Sequence, residues 1–241
     1  MCTVTFISGS GSYLLTSSRD EKIARSQAVP PHIYRHNNCR LLYPRDANAG
    51  GSWIALKDDL TAAVLLNGAF ESHIPQPPYH LSRGIILLEI IGADNPAASF
   101  LQMDLRGIEP FTLVLLESFQ LFECRWDGKL KYQSKPDMQQ NYIWSSATLY
   151  NAATRDKRAS WFQQWQQLHI QPAQPAVMDF HRFAGDGDEK NSILMNRQGE
   201  LNTVSITSLQ LTKETGSMYY FDLKDGATYH QHLFRQAVGV V

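Results

Sequence analysis

The stretch that decides the fold is residues 1–21, MCTVTFISGSGSYLLTSSRDE. Residues 3–7 alternate β-branched and apolar side chains, residues 8–11 (SGSG) are a turn signal, and residues 13–17 are typical of a returning strand. A hairpin of this size returns its second strand to the level at which its first strand begins. We therefore expect Arg19 and Asp20 to lie beside Cys2.

Cys2 is the most informative residue for chemistry. Removal of Met1 before this small side chain gives one residue that carries both a thiol nucleophile and a free α-amine, which titrates near pKa ~8 in model compounds and can act as a general base. Arg19 beside the thiol would favour the thiolate, and Asp20 would orient the amine. The alternatives are a small buried Cys2 at a strand start and a solvated strand end at residues 19–21.

Composition limits the class of protein. The chain has 241 residues, of which 43% are hydrophobic, so it can bury a sizeable core. Lys+Arg 22 against Asp+Glu 23 leaves a net charge of -1, which excludes a strongly basic nucleic-acid binder as the default. No apolar run approaches the ~18 residues of a membrane span, because the longest one, at residues 85–91, contains Glu89.

The N-terminus lacks the pattern of a secretory leader. The three cysteines, Cys2, Cys39 and Cys124, are too few and too scattered for a disulfide framework. We therefore expect a cytoplasmic protein with reduced thiols.

Hydrophobic periodicity predicts the remaining elements. A polar, proline-containing stretch, residues 27–48, predicts a long surface loop. Strands are predicted over residues 52–56, 61–66, 111–117, 119–126, 130–133, 141–146, 191–196, 201–211 and 218–223. Helices are predicted over residues 81–91, 97–105 (with Asn95-Pro96 as N-cap and first residue) and 154–169, the last with Trp161, Phe162, Trp165 and Leu168 on one face. This order predicts a layered α+β fold in a single domain, residues 1–241, with helices outside antiparallel sheets.

Several segments together resemble a known family. They are residues 1–3 (MCT), 17–21 (SSRDE), 43–46 (YPRD) with 49–55 (AGGSWIA), and 61–67 (TAAVLLN). They look like the NRDE family of transport and Golgi organisation-like proteins, named for an Asn-Arg-Asp-Glu motif in which Ser18 here replaces the Asn. The resemblance continues more thinly through residues 183–185 and 203–208.

The NRDE family is similar to the N-terminal-nucleophile (Ntn) hydrolases, particularly bile-salt and penicillin-V acylases. The resemblance implies a four-layer αββα sandwich, Cys2 as nucleophile, Arg19 against the thiolate and Asp20 against the new α-amine. It also makes Asn67 an oxyanion donor, a role that a neutral amide suits; the alternative for Asn67-Gly68 is a plain turn. The acylases carry a second active-site Asn where Ser146 stands, and a later Arg where Asn202 stands.

Two functions follow from the resemblance. One is a cysteine-nucleophile hydrolase of non-peptide C–N amide bonds that requires no cofactor. The other is a non-catalytic protein of binding or trafficking, with a lipid, acyl-CoA or haem as ligand. In both cases the partner is a small acyl, amide or lipid-like molecule rather than a nucleic acid. A third alternative is an interaction domain without pocket chemistry, and the sequence selects neither a substrate nor an oligomeric state.

Three further motifs carry weaker signals. His32, His36 and Cys39 have a spacing that suits zinc but lack a fourth ligand, so a polar loop is favoured. The acidic run 186–191 fails the calcium-loop pattern, because Arg197 stands at its twelfth position. Residues 50–53 (GGSW) predict either a close backbone approach with Trp53 lining a pocket, or a tight strand entry with Trp53 in the core.

Overall fold

The structure is a computed structural model that describes residues 3–198 and 200–235. Within these ranges the chain forms fourteen strands and four helices. The strands are β1 (Thr3–Ser8), β2 (Tyr13–Lys22), β3 (Val29–His36), β4 (Cys39–Arg45), β5 (Ile54–Lys57), β6 (Ala62–Asn67), β7 (Phe111–Glu117), β8 (Gln120–Trp126), β9 (Lys131–Ser134), β10 (Tyr142–Ser145), β11 (Asn196–Arg197), β12 (Leu201–Leu211), β13 (Thr215–Asp222) and β14 (Thr228–Phe234). The helices are α1 (Arg83–Gly92), α2 (Pro96–Gln102), α3 (Ala152–Leu168) and α4 (Gln174–Phe183).

The strands form two antiparallel sheets. Sheet A has the order β10-β1-β2-β12-β13-β14, with β11 paired to β12, and sheet B has the order β3-β4-β5-β6-β7-β8-β9. β1 and β2 therefore lie inside sheet A, with a neighbour on each side.

Three hydrophobic clusters define the layers. The first fills the space between the sheets, with Phe6 and Leu15 from sheet A facing Ile54 and Val64 from sheet B. The second lies between sheet B and the helices α1 and α2. The third lies between sheet A and the helices α3 and α4. The architecture is a mixed α+β sandwich with the layer order α1/α2, sheet B, sheet A, α3/α4, and it confirms the predicted αββα arrangement.

The N-terminal hairpin forms as predicted, with Thr3 paired to Ser18. β2 is longer than expected, because β12 pairs with it as far as Lys22. Arg19 and Asp20 are consequently only 4% and 3% exposed. The alternative interpretation, that they belong to a solvated strand end, is therefore wrong for both. Cys2 lies outside the described residues, and its predicted position is not described.

The prediction of a long surface loop at residues 27–48 is wrong. Its residues form the hairpin of β3 and β4, whose turn places Asn37 at a φ of 51°, a conformation that Asn tolerates. β3 is the edge strand of sheet B. Proline has no backbone N–H to donate, so Pro30 and Pro31 are tolerated at this edge, whereas in a central strand they would leave the neighbouring strand without a hydrogen-bond donor. The pairing register shifts across the two prolines, between Val29 and His32.

The sequence analysis also differs from the structure at other elements. The strand predicted at residues 191–196 is wrong except at Asn196, which belongs to β11. Its start is a turn and bends, in which the backbone N–H groups of Asn191 and Ser192 donate to the carbonyl of Asp188. Helix α4 and strand β14 were not predicted. On α3, Trp161, Phe162 and Trp165 pack in the third cluster, whereas Leu168 is 82% exposed. The single-domain organisation stays a prediction.

Local signals account for the helix starts. The side chain of Ser82 accepts a hydrogen bond from the N–H of Ile85 at the N-terminus of α1, and Asn151 does the same for Thr154 in α3. Asn95 occupies the N-cap of α2 as predicted, followed by Pro96, although its side chain makes no capping hydrogen bond.

Candidate functional site

A polar cleft of about 230 Å³ opens where β2 and β6 end, beside the N-terminus of α1. Two of the predicted site residues, Arg19 and Asn67, line it. The other charged or aromatic side chains in its wall are those of Glu21, Arg25, Asp46, Trp53 and Arg83. The cleft is therefore the candidate site.

Asp46 organises the cationic wall of the cleft. Its carboxylate accepts hydrogen bonds from Nη2 of Arg19 at 2.6 Å and from Nε and Nη2 of Arg25, both at 2.9 Å. The backbone N–H groups of Asn48 and Ala49 donate to the same carboxylate. Burial alone would raise the pKa of Asp46, but these donors and the two guanidinium charges hold that pKa below its ordinary value. Asp46 is therefore a fixed anion that orients both arginines.

Trp53 supports Arg19 from the other side. The guanidinium carbon of Arg19 lies 4.3 Å from the centre of the Trp53 ring, and Nη2 of Arg19 lies 3.5 Å from Oε2 of Glu21. Trp53 is buried in the cluster between the sheets and also lines the cleft. Both interpretations of residues 50–53 therefore hold.

A close backbone contact brings a third arginine to the cleft. A Cβ atom on Gly51 would lie 2.4 Å from the carbonyl carbon of Gly84, so only glycine allows this approach. The contact holds the start of α1 against the strand entry, and Arg83 lines the cleft beside it. Arg83 pairs with Glu109 at 2.9 Å, and burial lowers the pKa of its guanidinium.

Asn67 is the last residue of β6. Gly68 follows it with a φ of 81°, a conformation that favours glycine, and the strand ends there. Oγ of Ser146 donates to the main-chain carbonyl of Asn67 at 2.8 Å. Ser146 thus fixes the backbone of the candidate oxyanion donor.

Asp20 lies on the opposite face of β2 from Arg19. Its Oδ2 accepts from the hydroxyl of Tyr150 at 2.8 Å, and its Oδ1 accepts from Oγ1 of Thr203 at 2.5 Å. The pairing of β2 with β12 is irregular at this point, between Thr203 and Ser205. The structure therefore brings Arg19 and Asn67 to one cleft and places Asp20 on the buried helix-facing side of sheet A. The catalytic roles of Cys2, Arg19, Asp20 and Asn67 stay predictions.

Sequence reasoning missed part of this site. Asp46 and Arg25 carried no chemical signal of their own, although Asp46 belongs to the segment at residues 43–46 that carried the family resemblance. Arg83 looked like an ordinary helix residue. Asn202, the residue at the position of the acylase arginine, has a buried side-chain oxygen without a hydrogen-bond partner among the described residues.

His32, His36 and Cys39, whose spacing suits zinc, lie in the hairpin of β3 and β4. Sγ of Cys39 lies 3.1 Å from the carbonyl oxygen of His36, to which it donates. Across residues 3–198 and 200–235, no group of three or more His, Cys, Asp or Glu side chains is arranged to hold a metal ion. Within the same ranges, no helix is both long enough and apolar enough to cross a membrane.

Comparison with known proteins identifies the family. The family model described as Transport and Golgi organisation 2 matches residues 1–209. The chain belongs to this family. The match confirms the relationship that the NRDE-like motifs indicated. No curated protein matches the chain significantly.

Solved structures show the fold that this family member shares. A Caenorhabditis elegans ortholog of N-acylethanolamine-hydrolyzing acid amidase is similar with a TM-score of 0.56 at 10% identity, covering 86% of this chain and 92% of that chain. A variant of conjugated bile acid hydrolase from Clostridium perfringens is similar with a TM-score of 0.58 at 8% identity, covering 95% of this chain and 92% of that chain. The family member therefore has the Ntn-hydrolase fold.

Proposed function

We propose that this chain is an Ntn-type amidohydrolase that cleaves a non-peptide C–N amide bond, with Cys2 as its nucleophile after removal of Met1. The observation that carries the proposal is that Arg19 and Asn67 line the same cleft. This cleft lies at the end of β2, and the end of β2 pairs with the start of β1, next to Cys2 in the sequence. The proposal requires the Cys2 thiol to reach this cleft.

The chemistry needs only groups of this chain and water. The thiol of Cys2 attacks the amide carbonyl, and its proton passes to the α-amine of the same residue. The side-chain amide of Asn67 donates to the oxyanion of the tetrahedral intermediate. The C–N bond breaks as the leaving nitrogen takes the proton, and a thioester remains. Water then hydrolyses the thioester, which releases the acid and restores the thiol.

Arg19 and Asp20 supply charge on opposite faces of β2. Arg19 is held by Asp46 and Trp53, so its positive charge is fixed before any ligand arrives. Asp20 is held by Tyr150 and Thr203, and in this proposal it receives the α-amine. Preorganised groups of this kind cost no rearrangement when charge develops.

A second candidate function is non-catalytic binding of an anionic lipid-like ligand such as an acyl-CoA or haem, with a role in trafficking. Three guanidinium groups line the cleft, those of Arg19, Arg25 and Arg83. Glu21, Asp46 and Glu109 balance their charges, so the fit to a phosphate or carboxylate group rests on the N–H donors that the guanidinium groups present. Native mass spectrometry of the purified protein and spectral titration with haem test this candidate. A bound mass or a haem spectrum without amide turnover supports it.

The hydrolase proposal is tested by a panel of N-acyl amides, with thioester formation followed by intact mass. We expect an acyl adduct that maps to Cys2 and free amine as product. Cys2→Ala is the matched control, because Ala also permits removal of Met1 and leaves the α-amine without the thiol. Equal turnover by Cys2→Ala contradicts the proposal.

A further inference from the structure

A groove of about 440 Å³ lies between α4 and the outer faces of β13 and β14. Cavities that hold small organic molecules usually measure about 300–1,000 Å³, so this one is large enough for a ligand. The groove and the cleft share no lining residue among those that the structure describes. The residues of the groove are Gln174, Pro175, Met178, Asp179, Arg182, Tyr219, Phe221 and Thr228.

The groove exists because the helices cover only part of sheet A. The hydrophobic cluster beneath α3 and α4 takes its sheet residues from β10, β1 and β2. On β13, Met218 and Tyr220 face the cluster between the two sheets, so the alternation of a strand turns Tyr219 and Phe221 to the outer face. Both of these rings are half-buried. The outer face of β13 therefore presents aromatic surface that the protein covers only in part.

One face of α4 forms the opposite wall. Met178 and Arg182 are four residues apart, so they share a helix face, and both line the groove. Another side of the helix is anchored to sheet A by the fully buried His181, whose Nδ1 lies 2.7 Å from Oγ of Ser18. Burial, with the charge of Arg158, lowers the pKa of His181 to about 3, so its ring adds no charge beside the groove at neutral pH.

Two oppositely charged side chains form the polar rim of the groove. Nη1 of Arg182 lies 3.9 Å from Oδ1 of Asp179, which is beyond hydrogen-bond distance, and the side chains are 41% and 60% exposed. Neither side chain makes a hydrogen bond with any residue that the structure describes. The guanidinium carbon of Arg182 lies 5.2 Å from the centre of the Phe221 ring and 4.8 Å from that of Phe183. The rim therefore offers unused N–H donors and an unused carboxylate acceptor.

The chemistry of the groove defines the class of ligand. Its aromatic and thioether walls favour an apolar body, because the burial of apolar surface is favourable. Its rim has no net charge, so an anionic head group is attracted by Arg182 and repelled by Asp179, and a cationic one the reverse. A neutral head group with one acceptor and one donor uses both side chains, and hydrogen bonds to ionised groups are the stronger kind.

We propose that this groove binds a neutral amphiphile with an amide head group, namely a fatty primary amide. The carbonyl oxygen of the amide accepts from the guanidinium of Arg182, and its N–H donates to the carboxylate of Asp179. The hydrocarbon chain lies along Met178, Tyr219 and Phe221. This inference goes beyond the proposed function, because it uses none of the residues of the cleft.

Met178 provides a probe inside the groove. Octanamide is titrated into protein whose methionine methyl groups carry carbon-13, the methyl signals are followed by NMR, and Met178→Leu identifies the signal of interest. We expect a saturable shift of the Met178 signal and none for Met103, which lies against the second cluster, or for the buried Met195. Octanoate and octylammonium, the charged counterparts, should bind about tenfold more weakly than octanamide.

Two variants test the rim separately. Asp179→Asn leaves the charge of Arg182 unbalanced, so octanoate should bind this variant more tightly than octanamide does. Arg182→Met keeps the length of the side chain and removes its donors, so the affinity for octanamide should fall about tenfold. Lys157→Met is the matched control, because it removes an exposed cation 5.5 Å from the ring of Trp161 on α3, and it should change neither affinity.

The outcomes separate this inference from the hydrolase proposal. Cys2→Ala should give the same octanamide titration as the wild type. If octanamide shifts the Met178 signal while no amide is hydrolysed, the hydrolase proposal fails and this inference stands. An unmoved Met178 signal, equal affinities for octanamide and octanoate in the wild type, or an unchanged preference in Asp179→Asn overturns it. A Met178 signal that moves when the protein alone is diluted shows that a second copy occupies the groove, which also overturns it.

Discussion

Nη2 of Arg19 lies 2.6 Å from Oδ2 of Asp46, and this ion pair ties sheet A to sheet B at the mouth of the cleft. Arg19 belongs to β2 in the first sheet, and Asp46 directly follows β4 in the second. Their side chains are 5% and 12% exposed, so little water screens the pair. The pair thus fixes both the spacing of the sheets here and the direction of the Arg19 charge.

Asp46→Asn should destabilise the protein. The substitution leaves Arg19 and Arg25 without the carboxylate that both of them use, and breaking a buried pair from one side typically costs about 3–5 kcal/mol. Because Arg25 is partly exposed, we expect a loss of about 3 kcal/mol in the free energy of unfolding, measured by urea titration. Asp104→Asn, which breaks an exposed pair with Arg106, is the control and should change little. Equal effects in the two variants would refute the structural role of Asp46.

Asp46 should also make stability depend on acid pH. Its pKa in the folded protein is below the ordinary value of about 3.9, so its contribution is present above that value and is lost as the pH falls through the folded pKa. The stability difference between wild type and Asp46→Asn should therefore shrink below pH ~4. Urea titrations at stepped pH values measure this difference, and a gap that stays constant down to pH ~3 contradicts the assignment.

His181 should destabilise the folded protein in mild acid. Its folded pKa of about 3 is below the ordinary value near 6.5, so the unfolded chain binds a proton first as the pH falls. Between pH ~6.5 and pH ~5 this costs about 2 kcal/mol of unfolding free energy. His181→Gln should flatten that slope, even though it lowers stability at neutral pH. His230→Gln, at an exposed position, is the control whose slope should match wild type.

Asn67→Ala should cut turnover of an amide substrate by about 10²–10³ and leave the fold intact. The loss follows from removing one oxyanion donor, while the main-chain carbonyl of Asn67 keeps its hydrogen bond from Ser146. Steady-state kinetics should show the change in kcat, with an unchanged circular dichroism spectrum. Normal turnover by Asn67→Ala rules out the oxyanion role.

Sequence periodicity predicted the parts of the fold that depend on local pattern. The hairpin of β1 and β2 and the strands Phe111–Glu117 and Leu201–Leu211 are where alternation placed them. The β3–β4 hairpin was missed because its prolines and polar residues are typical of loops, and only the edge position in sheet B makes them acceptable in a strand.

Only some residues of the candidate site could be predicted from the sequence. Arg19 and Asn67 stood out through the family motifs, and both line the cleft. Asp46 and Arg25 gave no chemical signal of their own, because their place at the cleft depends on how the end of β2 meets the end of β4 across the two sheets. Long-range contacts of this kind leave no periodicity in the sequence around either residue.

The most direct test of the account is the intact mass of the purified protein before and after a limiting dose of iodoacetamide, with the adduct mapped by peptide. Burial raises the pKa of the Cys39 thiol and raises that of Cys124 to about 12, so both stay protonated near neutral pH. The account predicts that Met1 is absent and that Cys2 is alkylated well before Cys39 and Cys124. A retained Met1, or a Cys2 no faster than the buried cysteines, would contradict the proposed nucleophile.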